Sequence, residues 1–196
     1  MRLEFFLSQA LYWMGSTIAD VEKRFQKSSD RLFMPIQPSP VTASIITIAK
    51  EDPTSAEAQE LLSAFVSDVR KRYDSPPGDV GVLDPALFTG PRATFLLARL
   101  EGTAVGCGAL VPVDDTTAEL KRMYVNPLQR GKGIATGILE ELQDFARECD
   151  YDIIRLETGV KQPESIALYG KSGFYRIPNF PPFEDDATAV CFEKRI

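Results

Sequence analysis

Apolar residues recur at helical spacing in two stretches of the chain. Positions three or four residues apart lie on one face of an α-helix, so each stretch is predicted to be a helix that buries one face. The stripe of the first, residues 52–73, consists of Leu61, Phe65, Val69 and Tyr73. The stripe of the second, which runs to about residue 149, consists of Ile134, Ile138, Leu142, Phe145 and Cys149. Asp52 is the expected N-cap of the first helix, with Pro53 in its first turn.

Other stretches are continuously apolar or rich in β-branched residues, which is typical of strands. They occupy residues 41–49, 94–100, 104–113, 118–125, 152–158, 174–177 and 189–196. Short helices are predicted at "DPALF", residues 84–88, and at residues 163–173, where Gly173 is the expected C-terminal residue. The resulting order of strands and helices predicts an α/β fold with a mixed sheet.

The proline-rich stretch "MPIQPSP", residues 34–40, predicts a break between two parts of the chain. A compact domain is expected over residues 41–196, and residues 1–40 form an N-terminal extension. Apolar positions from Phe6 to Phe25 fall near one helical face, which favours an amphipathic helix over a signal peptide interrupted by Glu4. The pattern leaves open whether the extension packs on the domain, mediates assembly or is dispensable.

Charge limits the classes of partner. The chain has 28 acidic and 22 basic residues and a formal net charge of −6. An acidic chain is poorly suited to binding a phosphate backbone, so no nucleic-acid partner is expected, whereas a cationic ligand such as an amine is compatible with the charge. No apolar run is long enough to predict a membrane span.

The residue types that are missing also limit the chemistry. The chain has no histidine, which excludes Ser-His and Cys-His catalysis. Its three cysteines, Cys107, Cys149 and Cys191, are far apart in the sequence and lack metal-ligand spacing. We therefore expect that the protein binds no metal. Its thiols are expected to be free, in a reducing compartment, the cytoplasm.

A glycine-rich turn, "QRGKGIATG" at residues 129–137, opens onto the second long helix. A helix N-terminus presents unpaired backbone N–H groups, and glycines let an anion approach them closely. The turn therefore predicts a phosphate-binding site. The Walker motif is absent, and the turn lies too late in the chain for a dinucleotide fingerprint. The pattern that matches is R-x-x-G-x-[GA], at Arg130, Gly133 and Ala135.

This pattern resembles the hallmark of the GNAT superfamily, the GCN5-related N-acetyltransferases. A second hallmark of that family, N-x-x-A-I-x-L-Y-x-x-x-G-F, is similar to "QPESIALYGKSGF", residues 162–174. Gln162 stands where the family usually has asparagine, and Ser165 where it usually has alanine. The strand "ELKRMYVNP" also resembles the strand that precedes the pyrophosphate loop in many bacterial members. The resemblance covers the chain from about Val41 to its C-terminus.

The resemblance implies a mostly antiparallel sheet flanked by helices, in which the strand at 118–125 splays away from the strand at 152–158. Acetyl-CoA is the implied co-substrate, with its pantetheine arm in the gap and its pyrophosphate on the glycine turn. Gln162 and Ser165 are implied as further contacts. The full set of implied cofactor-binding residues is Met123, Tyr124, Val125, Arg130, Gly131, Lys132, Gly133, Ile134, Ala135, Thr136, Gln162 and Ser165.

The reaction implied by the resemblance is direct transfer of acetyl to an amine. Tyr169 fits the family's general acid, and Glu119 is a candidate general base, acting directly or through water. A backbone N–H near Tyr124 is the implied support for the oxyanion. The residue patterns leave alternatives open: Tyr169 as a core aromatic, Glu119 as a solvated strand residue, and an amine that loses its proton to solvent.

The expected acceptor is a primary amine of a small or amino-acid-like molecule. The alternatives are a protein or peptide acceptor and a binding module for acyl-CoA that has no catalytic activity. A homodimer is also compatible with the resemblance. Acceptor choice is expected to depend on residues 74–93 and 176–189.

Overall fold

The computed structural model describes residues 45–73 and 84–196, together with the single residue Lys23. The predictions for the extension at 1–40, its proline-rich linker and the first residues of the strand at 41–49 lie outside the described residues. Within the described part of the chain, no helix combines the length and apolarity that a transmembrane span requires.

The elements follow the predicted order. The strands are β1 (Ile46–Lys50), β2 (Thr94–Leu100), β3 (Thr103–Pro112), β4 (Thr117–Val125), β5 (Ile153–Gly159), β6 (Tyr175–Ile177) and β7 (Ala189–Arg195). The helices are α1 (Ala56–Tyr73), α2 (Ile134–Glu148) and α3 (Pro163–Lys171), with short 3-10 helices at Pro85–Phe88 and Pro127–Gln129.

The strands form one seven-stranded sheet in the order β1-β2-β3-β4-β5-β7-β6. Neighbouring strands are antiparallel except for β4 and β5, which are parallel. This confirms the mixed, mostly antiparallel sheet. The single parallel pair joins two antiparallel groups, β1 to β4 and β5 to β7.

Two hydrophobic clusters cover the two faces of the sheet. Alternation along β2 assigns Phe95 and Leu97 to one cluster, with α1, and Leu96 and Ala98 to the other, with α2. The predicted stripe of α2 is confirmed, since Ile134, Ile138 and Leu142 are all buried. The stripe of α1 is buried only at Leu61, because its later members line the cavities described below.

The start of α1 differs from the prediction. The helix begins at Ala56, and Ser55 caps it by accepting a hydrogen bond from the Ala58 N–H at 3.3 Å. The carboxylate of Asp52 instead accepts from the Thr54 N–H and hydroxyl, at 2.8 and 2.6 Å. Two suitable caps lie three residues apart in this segment, and propensity alone could not choose between them.

Candidate active site

The parallel strands β4 and β5 separate part of the way along their length. Their pairing begins at Thr117 with Ile153 and ends at Leu120 with Leu156. Both strands continue beyond that point, to Val125 and Gly159. A gap therefore opens between the carboxyl-terminal parts of these two neighbouring strands, where their facing edges are no longer paired.

A β-bulge in β4 accompanies the separation. Cys107 pairs with Tyr124 and Ala109 pairs with Lys121, so Arg122 and Met123 together oppose Gly108. Arg122 has a φ of 56°, the left-handed conformation found at one position of such bulges. The bulge bends β4 and increases its twist, which turns its last residues away from β5.

The glycine turn leads from β4 into α2 with its N–H groups available. Gly131 and Gly133 have φ values of 78° and 81°, a conformation that L-residues rarely adopt. Among the described residues, none accepts a hydrogen bond from the consecutive backbone N–H groups of residues 131–136. The first bond of the helix runs from the Gly137 N–H to the Gly133 carbonyl at 2.9 Å. The turn can thus present several donors to one anion.

The gap and the turn together form a cavity of about 310 Å³, here called the cofactor groove. All the predicted cofactor-binding residues except Lys132 line it. The ammonium of Lys132 donates to Oε1 of Gln129 at 2.6 Å. Helix α1 also contributes to the lining with Phe65, Asp68, Val69 and Arg72, which were not predicted as site residues.

Four charged residues are linked across the lining of the groove. Arg130 pairs with Asp68 of α1 at 3.0 Å and with Glu164 of α3 at 3.5 Å. Arg72 pairs with the same two carboxylates, at 3.2 and 2.6 Å. The Arg130 Nε also donates to the Val125 carbonyl at 3.0 Å. Both guanidinium groups are therefore held beside the groove, each already partnered by acids.

A second cavity, of about 490 Å³, lies next to the groove and is here called the acceptor cavity. The two share Phe65, Val69, Met123, Gln162, Ser165 and Tyr169 as lining residues. Residues 176–189, predicted to influence acceptor choice and here called the late loop, contribute Phe183, Asp186 and other residues to the lining. A group held in one cavity can therefore reach a group held in the other.

Tyr169 lies in the wall between the two cavities. Its side chain is 4% exposed and packs against Phe174 and Phe192, with ring centroids 5.8 and 6.2 Å away. Its hydroxyl makes no hydrogen bond to any described residue. Burial, with a smaller contribution from the charge of Glu157, raises the pKa of Tyr169, so the hydroxyl keeps its proton near neutral pH. Tyr169 is both a core aromatic and a lining residue with a free donor.

Glu119 is buried, not solvated. It is 7% exposed and lines the acceptor cavity. Its carboxylate pairs with Lys121 on the same strand and with Arg155 on β5 at 3.2 Å. Both carboxylate oxygens thus already have a cationic partner.

Glu157, at the end of β5, lines the same cavity but was not predicted as a site residue. Burial, followed by repulsion from Asp186, raises the pKa of Glu157 to about 7. The signal available in the sequence was an acid near the end of a mostly apolar strand, "IIRLETG". Its surroundings come from four other elements and could not be read from that strand.

The cysteines are poor nucleophiles in this environment. Cys107 and Cys191 are buried, and Cys149 is half-buried. Burial raises the pKa of the Cys107 thiol to about 12, so the reactive thiolate is scarce near neutral pH.

The splayed sheet, the glycine turn and the two joined cavities are the architecture of an acyltransferase. The sequence profile of the Acetyltransferase (GNAT) family matches residues 57–174, more than half of the chain. The protein belongs to the GNAT acetyltransferase family and is an acyltransferase.

Individual relatives agree with this assignment. An IAA acetyltransferase of Azospirillum brasilense is 36% identical over 150 residues, which cover 76% of this chain and 97% of the relative. A Klebsiella pneumoniae structure, provisionally named an acyl-CoA N-acyltransferase, is 33% identical with a TM-score of 0.65, covering 77% of this chain and 97% of that one. An Elizabethkingia anophelis GNAT acetyltransferase with acetyl-CoA bound shares the fold at 19% identity and a TM-score of 0.51, covering 77% of this chain and 98% of that one.

Proposed function

We propose that the protein transfers acetyl from acetyl-CoA to the primary amine of a small or amino-acid-like molecule. The observation that carries the proposal is the run of N–H groups at residues 131–136 that no described residue accepts from, which opens into a groove that adjoins an acid-lined cavity. The acetyl-CoA seen in the E. anophelis relative supports the choice of donor.

In this proposal the turn binds the pyrophosphate and the gap binds the pantetheine arm. The N–H groups at the helix start and the positive end of the helix dipole favour an anion there. The edge of β4 from Met123 to Val125, which is not paired with β5, offers backbone groups to an extended arm, in the manner of an added strand. Gln162 and Ser165 line both cavities and provide polar contacts near the reacting end.

The chain's own residues then support direct attack of the amine on the thioester. A backbone N–H near Tyr124 stabilises the oxyanion, and the Tyr169 hydroxyl donates to the departing sulfur. The acceptor cavity brings acids, including Glu119, Glu157 and Asp186, together with Lys121 and Arg122. Both signs of charge in one cavity suit an acceptor that has an ammonium and a carboxylate.

The proposal is tested by titrating the protein with acetyl-CoA in a calorimeter and repeating the titration on Gly133→Glu. A Cβ at Gly133 meets no heavy atom of the described residues within 4 Å, so the substitution adds a carboxylate beside the proposed anion site. The control is Gly102→Glu in the turn between β2 and β3. Gly102 also has a positive φ, 83°, and open space, so both variants carry a similar backbone strain of about 1–2 kcal/mol.

We expect the wild type and Gly102→Glu to bind acetyl-CoA and Gly133→Glu to lose binding while it remains folded. Equal binding by both variants would show that the turn is not the phosphate site. Absence of binding by the wild type would remove the proposed donor. Binding of acetyl-CoA without turnover of any amine, amino acid or peptide would favour the alternative function, an acyl-CoA-binding module that has no catalytic activity.

A further inference from the structure

Glu157 occupies the position where the two parallel strands separate. It directly follows Leu156, the last residue of β5 that pairs with β4. Continued pairing would have brought Lys121 opposite Glu157, just as Glu119 lies opposite Arg155 two residues earlier. Because the strands diverge there, this ion pair does not form, and Glu157 instead lines the acceptor cavity.

The carboxyl group of Glu157 has no hydrogen bond or ion pair with any described residue. Charged and titratable groups nevertheless face it from four elements: Asp186 in the late loop, Lys121, Glu119 and Arg122 on β4, Tyr169 on α3, and Cys191 on the paired strand β7. Burial and the two neighbouring acids outweigh the two cations, which is why its pKa lies near 7. An amine that enters the cavity therefore meets a carboxyl group whose oxygens are available.

Glu119 differs from Glu157 in the availability of its carboxylate oxygens to accept a proton. Its carboxylate is held between Lys121 and Arg155, and these ion pairs occupy the oxygens that would accept a proton. Removing a proton from an ammonium through Glu119 would require one of these pairs to break. Glu157 accepts a proton without such a loss.

We infer that Glu157, not Glu119, binds the ammonium of the acceptor and takes its proton. This inference rests on the proposed function and names the group that prepares the nucleophile. Glu119 then holds Lys121 and Arg155 in place at the start of the gap, as a positioning residue.

The step balances as follows for an acceptor R–NH₃⁺. One proton moves from nitrogen to a Glu157 oxygen and later leaves to solvent. The nitrogen lone pair forms a bond to the thioester carbon, and the C–S bond breaks with its electrons on sulfur. The second proton of the nitrogen leaves the tetrahedral adduct to solvent. The Tyr169 hydroxyl gives its proton to the sulfur, and the tyrosine regains a proton from solvent. The products are the acetylated amine, the free thiol and one released proton.

The test is the pH dependence of kcat/KM between about pH 5.5 and 9, with acetyl-CoA and the best acceptor from a panel of amino acids and simple amines. In the wild type, the rate should rise with pH and level off above an apparent pKa near 7. In Glu157→Gln, the rate at neutral pH should fall by about 10²- to 10⁴-fold and keep rising toward the pKa of the amine itself. Calorimetric affinity for acetyl-CoA should stay unchanged.

Glu119→Gln is the matched control, since it removes the other carboxylate of the cavity with the same change of charge. It should keep the plateau, whatever its effect on rate, with an apparent pKa somewhat below that of the wild type, because the charge of Glu119 helps to raise the pKa of Glu157. Loss of the plateau in Glu119→Gln but not in Glu157→Gln would overturn the inference. A wild type that binds acetyl-CoA but acetylates no amine would instead contradict the proposed function.

A second measurement gives the pKa of Glu157 directly and requires neither an acceptor nor a catalytically active variant. Carboxyl ¹³C shifts of labelled glutamate, with Glu157→Gln used for assignment, give the pKa of Glu157 in the folded wild type. Titration near 7 supports the inference, whereas titration near the ordinary value of 4.5 would overturn it.

Discussion

Tyr169 combines a structural role with a free hydroxyl, and the two can be separated by removing one oxygen atom. The ring packs against Phe174 and Phe192, contacts that phenylalanine would keep. We expect Tyr169→Phe to lower kcat by about 10²- to 10⁴-fold because the departing sulfur loses its donor, while the Kd for acetyl-CoA is retained. Steady-state kinetics together with calorimetry measure both quantities.

The control for this variant is Tyr151→Phe. Tyr151 is also buried, and its hydroxyl donates to the Arg92 carbonyl at 2.9 Å, away from both cavities. Its loss should cost about 1 kcal/mol of unfolding free energy and leave kcat unchanged. A similar loss of rate in both variants would assign the effect to packing instead of proton donation.

Glu157 is also expected to lower the stability of the folded protein. Folding raises its pKa from 4.5 to about 7, so the folded protein holds this proton more tightly than the unfolded chain does. Wild-type stability should therefore fall, relative to Glu157→Gln, as pH rises from about 4.5 to 7. Above that range we expect the variant to be more stable by about 1–3 kcal/mol.

Denaturant unfolding of both proteins at several pH values measures this difference. The two curves should converge at low pH, where glutamate and glutamine are both uncharged. A constant difference across the range would mean that Glu157 does not titrate as described.

At the residue scale, the sequence predicted what short motifs encode. The glycine turn and Tyr169 lie within contiguous patterns, and the structure brings them to one groove. The partners of Glu119 and the surroundings of Glu157 depend on residues from β4, β5, α3 and the late loop. Such long-range contacts decide whether Glu119 or Glu157 is ion-paired, and no local sequence pattern encodes them.

At the scale of elements, the bulge in β4 depends on Gly108, the glycine of β3 that lies opposite it. A Cβ at Gly108 would lie 2.6 Å from Sδ of Met123 and 2.7 Å from Cγ2 of Ile138. We expect Gly108→Ala to lower the unfolding free energy by about 1–3 kcal/mol through overpacking. It should also weaken acetyl-CoA binding, because Met123 lines the groove and has to move.

Gly170→Ala in α3 is the matched control. In the part of the chain that the structure describes, a Cβ there meets no heavy atom within 4 Å. Because alanine is also the better helix former, stability should stay level or rise by up to about 1 kcal/mol. Thermal unfolding and calorimetry of both variants provide the comparison. If Gly108→Ala left both stability and acetyl-CoA affinity unchanged, the bulge would tolerate a side chain on β3.

Strong periodicity explains why the elements themselves were predictable. The β2 strand and the two long helices follow their apolar patterns closely, while the start of α1 and the bulge do not appear in any such pattern. The bulge was missed because "KRM" reads as ordinary strand residues, and its extra residue appears only in the register with β3.

At the scale of the whole molecule, an acidic protein is proposed to bind a strongly anionic donor. Arg72 and Arg130 are held beside the groove by Asp68 and Glu164, so a phosphate has to compete with these carboxylates. We expect Asp68→Asn to tighten acetyl-CoA binding by roughly two- to ten-fold at low salt, with less effect at high salt. Arg130 should stay in place through its bond to the Val125 carbonyl.

Asp144→Asn provides the control, because it makes the same change of net charge. Asp144 is exposed and pairs with Arg147 on α2, outside both cavities. Calorimetry at two salt concentrations compares the variants. Weaker binding by Asp68→Asn would mean that Asp68 orients the arginines for the phosphate and does not compete with it.

In the described part of the sheet, the two groups of strands are hydrogen-bonded to each other through four paired residues on each of β4 and β5. Acetyl-CoA bound in the gap as proposed would bridge the two groups and bind only the folded chain. A ligand at about 100 times its Kd adds about 2.7 kcal/mol to the free energy of unfolding. The amount of folded protein that survives quality control in a cell would then follow the supply of acetyl-CoA, so that the enzyme would persist longest when its donor is abundant.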